Sequence, residues 1–323
     1  MEESKKTHVP PIKTQGIKTK LVPFIRDLAK VREDEVWVEP FMGSGVVGFN
    51  VAPRRALFSD TNVHIINFYN EIKNGQITPQ LVKEFLESEG HRLSEGDAEY
   101  YYEVRNRFNR EHSPMDFLFL NRSCFNGMIR FNKNYDFNVP YGHKPERFAK
   151  AYVTKIVNQV AHVKELLRWN DWQFEVKSFE EAIREAPANA FIYCDPPYLG
   201  RHVDYFDSWN EEQELLLHEL LMGRASGRFM VSTWDHNKYR ENEYLRTVWG
   251  DCTKTTREHF YFVGARESNR GSMVEALLTN FKPMTNERAV DSGHQYGIQG
   301  PLTGIGRRER IPVQGALKLL MQE

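Results

Sequence analysis

The chain has 323 residues, 40% of them hydrophobic and 27% charged, with a formal net charge of -1 at pH 7. That is the profile of a soluble globular protein with one large domain or two smaller ones; near-neutrality predicts neither a polyanion partner nor its absence, so any nucleic-acid site must come from local clustering of charge. Cys124, Cys194 and Cys252 are widely spaced and odd in number, which excludes a disulfide framework and a zinc site and points to a reducing, cytoplasmic setting.

The first eleven residues, MEESKKTHVPP, lack the apolar stretch of a secretory signal, and no run approaches membrane-spanning length, so no membrane association is expected. Over residues 18–30, Leu21, Phe24, Ile25 and Leu28 recur at helical spacing with basic residues opposite them, which predicts a short amphipathic helix. Val36-Trp37-Val38 reads as a buried strand, followed by the turn Phe41-Met42-Gly43-Ser44-Gly45, a helix through Asn50 and a second strand, Ala56 to Asp60. Residues 36–60 therefore form a β-α-β unit, which implies parallel strands and an α/β domain. Gly43 and Gly45 allow close approach of backbone to a ligand. They do not form the G-x-G-x-x-G pattern that cradles a pyrophosphate. With Asp60 ending the next strand, where an acid can accept from ribose hydroxyls, the pattern suits an adenosine-containing ligand without a pyrophosphate, such as S-adenosylmethionine.

Residues 62–110 are mostly helical in pattern, and a turn-rich, basic and aromatic stretch runs on to about residue 150. A helix over 151–168 leads to the apolar strand Ala190 to Cys194 and then to Asp195-Pro196-Pro197-Tyr198. Two prolines fix φ and remove two backbone donors, so the strand stops in a rigid bend that presents a carboxylate, a free carbonyl and an aromatic ring. Strands over 228–232 and 273–280 complete the expected sheet, and the Gly- and Arg-rich residues 284–323 form an appendage of unassigned role.

These segments, in this order, resemble the Dam-like adenine-N6 DNA methyltransferases, the D12 class, over about residues 13–281. Gly16 to Leu21 is similar to the family's N-terminal cofactor motif and Glu39 to Gly45 to its glycine motif. Ser59 to Asn62 is similar to the segment bearing the ribose acid. Phe119 to Arg122, Phe125 to Gly127, Arg130, Asn132 and Phe137 to Gly142 resemble its target-recognition region. Asp195 to Tyr198 matches the catalytic motif, and Val274 to Leu278 the last strand. Thr14 stands where the family often carries a Trp, and only one of two adjacent glycines is kept, as Gly16.

The resemblance implies a Rossmann-like S-adenosylmethionine-dependent methyltransferase fold with a mostly helical, hairpin-containing target-recognition domain. Residues 1–62 and 152–283 would make the catalytic domain, and 63–151 the recognition domain. Lys18, Glu39, Pro40, Phe41, Gly43, Gly45, Asp60 and Asp195 would hold the cofactor. Lys13, Arg122, Phe125, Asn126, Met128, Arg130, Asn132 and Pro140 would contact double-stranded DNA: Lys13 and Arg130 reading guanines, Phe125 intercalating, Asn126 on the backbone, Met128 and Pro140 in apolar base contacts. The implied reaction moves a methyl group from S-adenosylmethionine to adenine N6 in a short site, with GATC the first to test.

The residue types suit that chemistry. An exocyclic amine is a poor nucleophile because its lone pair is delocalised; the Asp195 carboxylate and the Pro196 carbonyl can accept its two N–H bonds and free the lone pair. Pro197 stiffens the bend, and Tyr198 can stack on a base swung out of the duplex. No metal is required. On the residues alone, methylation of RNA or of a protein amide stays open, as does a non-catalytic DNA-binding relative. The basic, aromatic insert between Asp60 and Asp195 favours a duplex reader, and intact Asp195, Tyr198, Gly43 and Gly45 favour an enzyme. Whether a cognate restriction endonuclease is its partner is left open.

Overall fold

In the computed structural model, residues 6–199, 209–261 and 271–283 are described, and Met1–Met284 make one compact unit. The appendage read from the sequence at 284–323 lies outside the described residues. In chain order, α1 (Val22–Ala29), β1 (Val36–Glu39), α2 (Val46–Val51) and β2 (Arg55–Asp60) lead into α3 (Val63–Lys73), α4 (Pro79–Glu111), α5 (Pro114–Ser123) and α6 (Lys150–Trp169). Then come β3 (Asp171–Val176), α7 (Phe179–Arg184), β4 (Ala190–Cys194), α8 (Glu211–Met222), β5 (Arg228–Asn237), α9 (Tyr244–Thr247), β6 (Thr253–Tyr261) and β7 (Gly271–Thr279).

The strands form one sheet in the order β3-β2-β1-β4-β5-β7-β6. The first five are parallel, and β7 runs antiparallel between β5 and β6. Chain order reverses between β1 and β4, the switch point outside whose carboxyl ends open α/β sheets bind ligands. Glu39 ends β1, Asp60 ends β2 and Asp195 follows β4, so three acids lie along that edge. β4 is buried at every position, as a central parallel strand covered on both faces must be. Trp37 stacks on Phe191 and Tyr193, with centroids 5.3 and 5.6 Å apart, which fixes β1 against β4.

The strands missed in the sequence are edge strands. In β3 only Trp172 and Phe174 are buried, and β6 is polar along most of its length, its place set by pairing with β7. The segment read as turn-rich after residue 110 contains α5, which has a Ser113 cap and Pro114 in its first turn. Asp116 to Ser123 are all buried, so this helix shows no polar face and no amphipathic period. It is held by charge: the Arg107 Nε donates to Asp116 at 2.7 Å, and Arg107 also reaches Glu89 at 2.8 Å, as does the Tyr100 hydroxyl. Glu89 lies before the break at Asp97 in α4 and Arg107 beyond it, so this network locks the bend onto α5. Past α5 the chain forms a hairpin with bridges Cys124 to Tyr141 and Phe131 to Phe137.

Candidate active site

The glycine turn between β1 and α2 is held from three sides. The Asp60 carboxylate accepts the Gly43 N–H at 2.8 Å, the Ser59 carbonyl accepts the Met42 N–H at 2.9 Å, and the buried Tyr69 hydroxyl donates to the Ser44 carbonyl at 2.6 Å. Gly43 and Gly45 have φ of 49° and 76°, left-handed values that glycine adopts without a Cβ penalty. A Cβ at Gly45 would lie 2.6 Å from the Phe49 ring, whereas one at Gly43 would meet only Thr14, at 3.7 Å. The loop is therefore tight on its inner side and open at Gly43. Asp60 also accepts the Asn62 N–H at 2.9 Å, and burial raises its pKa against those two bonds. Pro40 is buried. Phe41 stacks on Phe179 and meets Trp209 edge-on, both at 5.5 Å between centroids.

Glu39 is 2% exposed and accepts the Trp37 indole N–H at 2.8 Å. Burial pushes its pKa from 4.5 up to about 8, with the Asp195 charge adding to the rise and the Trp37 bond opposing it. Folded protein thus holds a proton that unfolded chain has released, and Glu39 makes stability fall as pH rises from about 4.5 to about 8. Glu39→Gln is expected to flatten that slope in melts taken across this range. A slope identical to the parent's would mean that Glu39 is already ionised in the fold.

Asp195 is the centre of the site. Its side chain is 21% exposed and pairs with the Lys18 ammonium at 2.8 Å. Burial raises the Asp195 pKa, Lys18 opposes the rise, and Glu275 adds to it. Lys18 is itself buried, donates to the Gly16 carbonyl at 3.2 Å and lies 4.7 Å from the centre of the Tyr198 ring. The Tyr198 hydroxyl donates to Glu275. Pro196 is buried and Pro197 exposed. The sequence reading put Lys18 among the cofactor residues; its partner here is the acid of the catalytic motif. Glu275 was read only as part of a strand, since nothing local to β7 marks it as reaching Tyr198.

The expected DNA-contacting residues divide. The buried Asn121 amide accepts the Lys13 N–H at 2.8 Å and donates to the Lys13 carbonyl at 2.9 Å and to the Gly127 carbonyl at 3.3 Å. One side chain thereby joins the N-terminal segment to the turn carrying Phe125 and Asn126. Phe125 is 50% exposed; Asn126 and Pro140 are exposed, and Met128 is half-buried. Burial, with Arg122 and Arg147 nearby, lowers the Lys13 pKa to about 8. Arg130 uses its Nε on the Asn138 side chain at 2.8 Å, which orients the guanidinium.

Two of the expected contacts have partners inside the protein. Arg122 is 7% exposed and donates to the Pro11 carbonyl and, at 2.7 Å, to Gln159. It braces the N-terminal segment against α6. The Asn132 carbonyl oxygen accepts the N–H groups of Asn134 and Asp136, both at 2.9 Å. Asn132 thus shapes the hairpin tip, as Asn side chains commonly do in turns.

The residues present suit an adenosyl sulfonium ligand: an acid with lone pairs to spare at the end of β2, a glycine loop open at Gly43, and acids at the ends of β1 and β4. The strand order, with its antiparallel β7, is that of a Rossmann-like α/β fold, and the acids along its carboxyl edge suit S-adenosylmethionine. Residues 15–264 match the family of D12 class N6 adenine-specific DNA methyltransferases, and the chain belongs to it. It is 28% identical over 284 residues to the Type II methyltransferase M.FokI of Planomicrobium okeanokoites, covering 85% of this chain and 43% of that protein. It thus spans less than half the length of that relative. Against the Type II methyltransferase M1.LlaDCHI of Lactococcus lactis subsp. cremoris it is 27% identical, covering 84% of this chain and 95% of the relative. Against the DNA adenine methylase of Escherichia coli (strain K12) it is 28% identical, covering 81% and 92%. Among the described residues, no helix is long and apolar enough to cross a membrane, and no group of His, Cys, Asp or Glu could hold a metal ion.

Proposed function

We propose that this chain methylates adenine N6 in a short duplex DNA site containing a 5'-GA step, GATC in the first instance. The observation that supports the chemistry is Asp195, held at the end of β4 with its carboxylate on the Lys18 ammonium. A target amine needs that acceptor, so it takes the place of Lys18 and donates to Asp195 and to the Pro196 carbonyl. Two fixed acceptors favour a pyramidal nitrogen whose lone pair points at the methyl donor, which is electrostatic preorganisation with positioning. S-adenosylmethionine, when bound, supplies a methyl group already activated by its sulfonium.

Asp60 accepts from ribose hydroxyls, and Glu39, Pro40, Phe41, Gly43 and Gly45 shape the rest of the cofactor pocket. Residues 1–62 and 152–283 carry the chemistry and 63–151 the recognition. Because the amine is inaccessible inside a duplex, the adenine is swung out and stacks on Tyr198. Lys13 and Arg130 read guanines, Asn126 holds backbone, Met128 and Pro140 make apolar base contacts, and exposed Phe125 is the wedge that enters the base stack. Two of the relatives are named Type II methyltransferases, which supports a cognate restriction endonuclease as partner.

Incubation with labelled cofactor and plasmid DNA, followed by modification-sensitive sequencing, tests the site. Methylated adenines are expected to follow guanine; adenine methylation confined to sites without a 5'-GA step would refute the specificity and spare the enzyme class. An Arg bidentate to guanine contributes ~1–3 kcal/mol of discrimination. Arg130→Ala is accordingly expected to relax one base pair, whereas Lys133→Ala at the exposed hairpin tip lowers affinity evenly across sequences. Equal losses on cognate and altered sites for Arg130→Ala would remove it from base reading.

A further inference from the structure

We propose that Glu275, on the antiparallel strand β7, is a positioning residue for methyl transfer, fixing where the Tyr198 ring stands by anchoring its phenol hydroxyl. The inference rests on Tyr198 belonging to the active site. Glu275 is 1% exposed, and Ala276, Leu277 and Leu278 beside it are buried and apolar. A carboxylate in such a strand carries a desolvation penalty that hydrogen bonding must offset. Its cross-strand neighbours are Trp234 on β5 and Arg257 on β6, and directly opposed residues share a sheet face. The Arg257 guanidinium lies 5.1 Å from the centre of the Phe24 ring of α1, so Glu275 points to the face that α1 covers. Lys18 lies just before α1.

On that face the contacts are continuous. Asp195 pairs with Lys18 at 2.8 Å, Lys18 lies 4.7 Å from the Tyr198 ring centre, and the Tyr198 hydroxyl donates to Glu275. Tyr198 follows a bend, not a strand, so its ring has no ladder to fix it. A hydrogen bond at the far end of the phenol anchors the ring. The acid on β7 thereby reaches the reaction centre through a side chain 77 residues away in sequence.

The test is a double-mutant cycle on methyl transfer by the full chain. Glu275→Leu removes the acceptor yet suits a buried strand position, Tyr198→Phe removes the donor, and Glu275→Gln keeps an acceptor oxygen. Glu275→Leu and Tyr198→Phe are each expected to lower kcat by about tenfold with KM for DNA little changed, and the double mutant to be no worse than the poorer single, since coupled groups are non-additive. Glu275→Gln is expected to keep most of the activity. Additive losses, a fully active Tyr198→Phe, or a Glu275→Gln as impaired as Glu275→Leu would each overturn the proposal. The Tyr198→Phe arm holds even if Glu275→Leu fails to fold. Tyr198→Ala separates the two levels: full activity removes Tyr198 from the site altogether. Loss with Ala but not with Phe or Glu275→Leu removes only the positioning role.

Discussion

Asp195→Ala is expected to reduce methyl transfer by about 10²- to 10³-fold, the usual cost of removing one preorganised hydrogen-bonding group at a reaction centre, while DNA affinity stays close to the parent's. On the proposed mechanism the carboxylate orients the amine and reads no sequence, so single-turnover rates should fall and gel-shift affinities should not. A variant with most of its activity would sink the assignment. Asp195→Asn is the sharper control, since it keeps one acceptor oxygen but removes the charge and the ion pair with Lys18. The acceptor must be ionised, and burial raises its pKa above the ordinary aspartate value while Lys18 only partly opposes the rise. The kcat/KM, which reports the free enzyme with Lys18 in place, should therefore fall on acidification at a pH above the ordinary aspartate range. An acid limb at or below that range would mean that Lys18 outweighs burial.

Asp60→Ala is the second large effect, expected in cofactor affinity. The carboxylate accepts from Gly43 at 2.8 Å and from Asn62 at 2.9 Å, so its loss frees the glycine turn and, on the proposed reading, also removes the ribose acceptor. Hydrogen bonds to charged groups contribute ~1.5–3 kcal/mol, and the cofactor Kd by calorimetry should rise tenfold or more. DNA affinity should change little. An unaltered cofactor Kd with a lowered melting temperature would assign Asp60 to the fold and not to the pocket.

The features legible in the sequence are those written within a few consecutive residues. Apolar runs at 36–38 and 190–194 become β1 and β4 because continuous burial selects such runs. Gly43 and Gly45 turn where only left-handed φ serves, and the two prolines end β4 at Asp195. The β-α-β unit over 36–60 fixes parallel strands, and with them the edge on which Glu39, Asp60 and Asp195 stand. Helix α5 escaped because its burial on every side erases the period that marks a surface helix.

Partner choice by long polar side chains was not legible, because such chains reach whatever the fold brings near them. Arg122 carries the composition of a DNA contact, but packing turns it inward to Pro11, 111 residues earlier, and Asn132 is spent on its own turn. Lys18 meets Asp195 far along the chain, and Tyr198 meets Glu275 because β4 and β7 both flank β5. The sequence by itself determined the α/β class, the glycine turn, the acids at the strand ends and the bend after β4, since each follows from local backbone chemistry. Only the tertiary structure decided which cations stay exposed and which acid bonds Tyr198, since both depend on burial and on contacts between residues far apart in the chain.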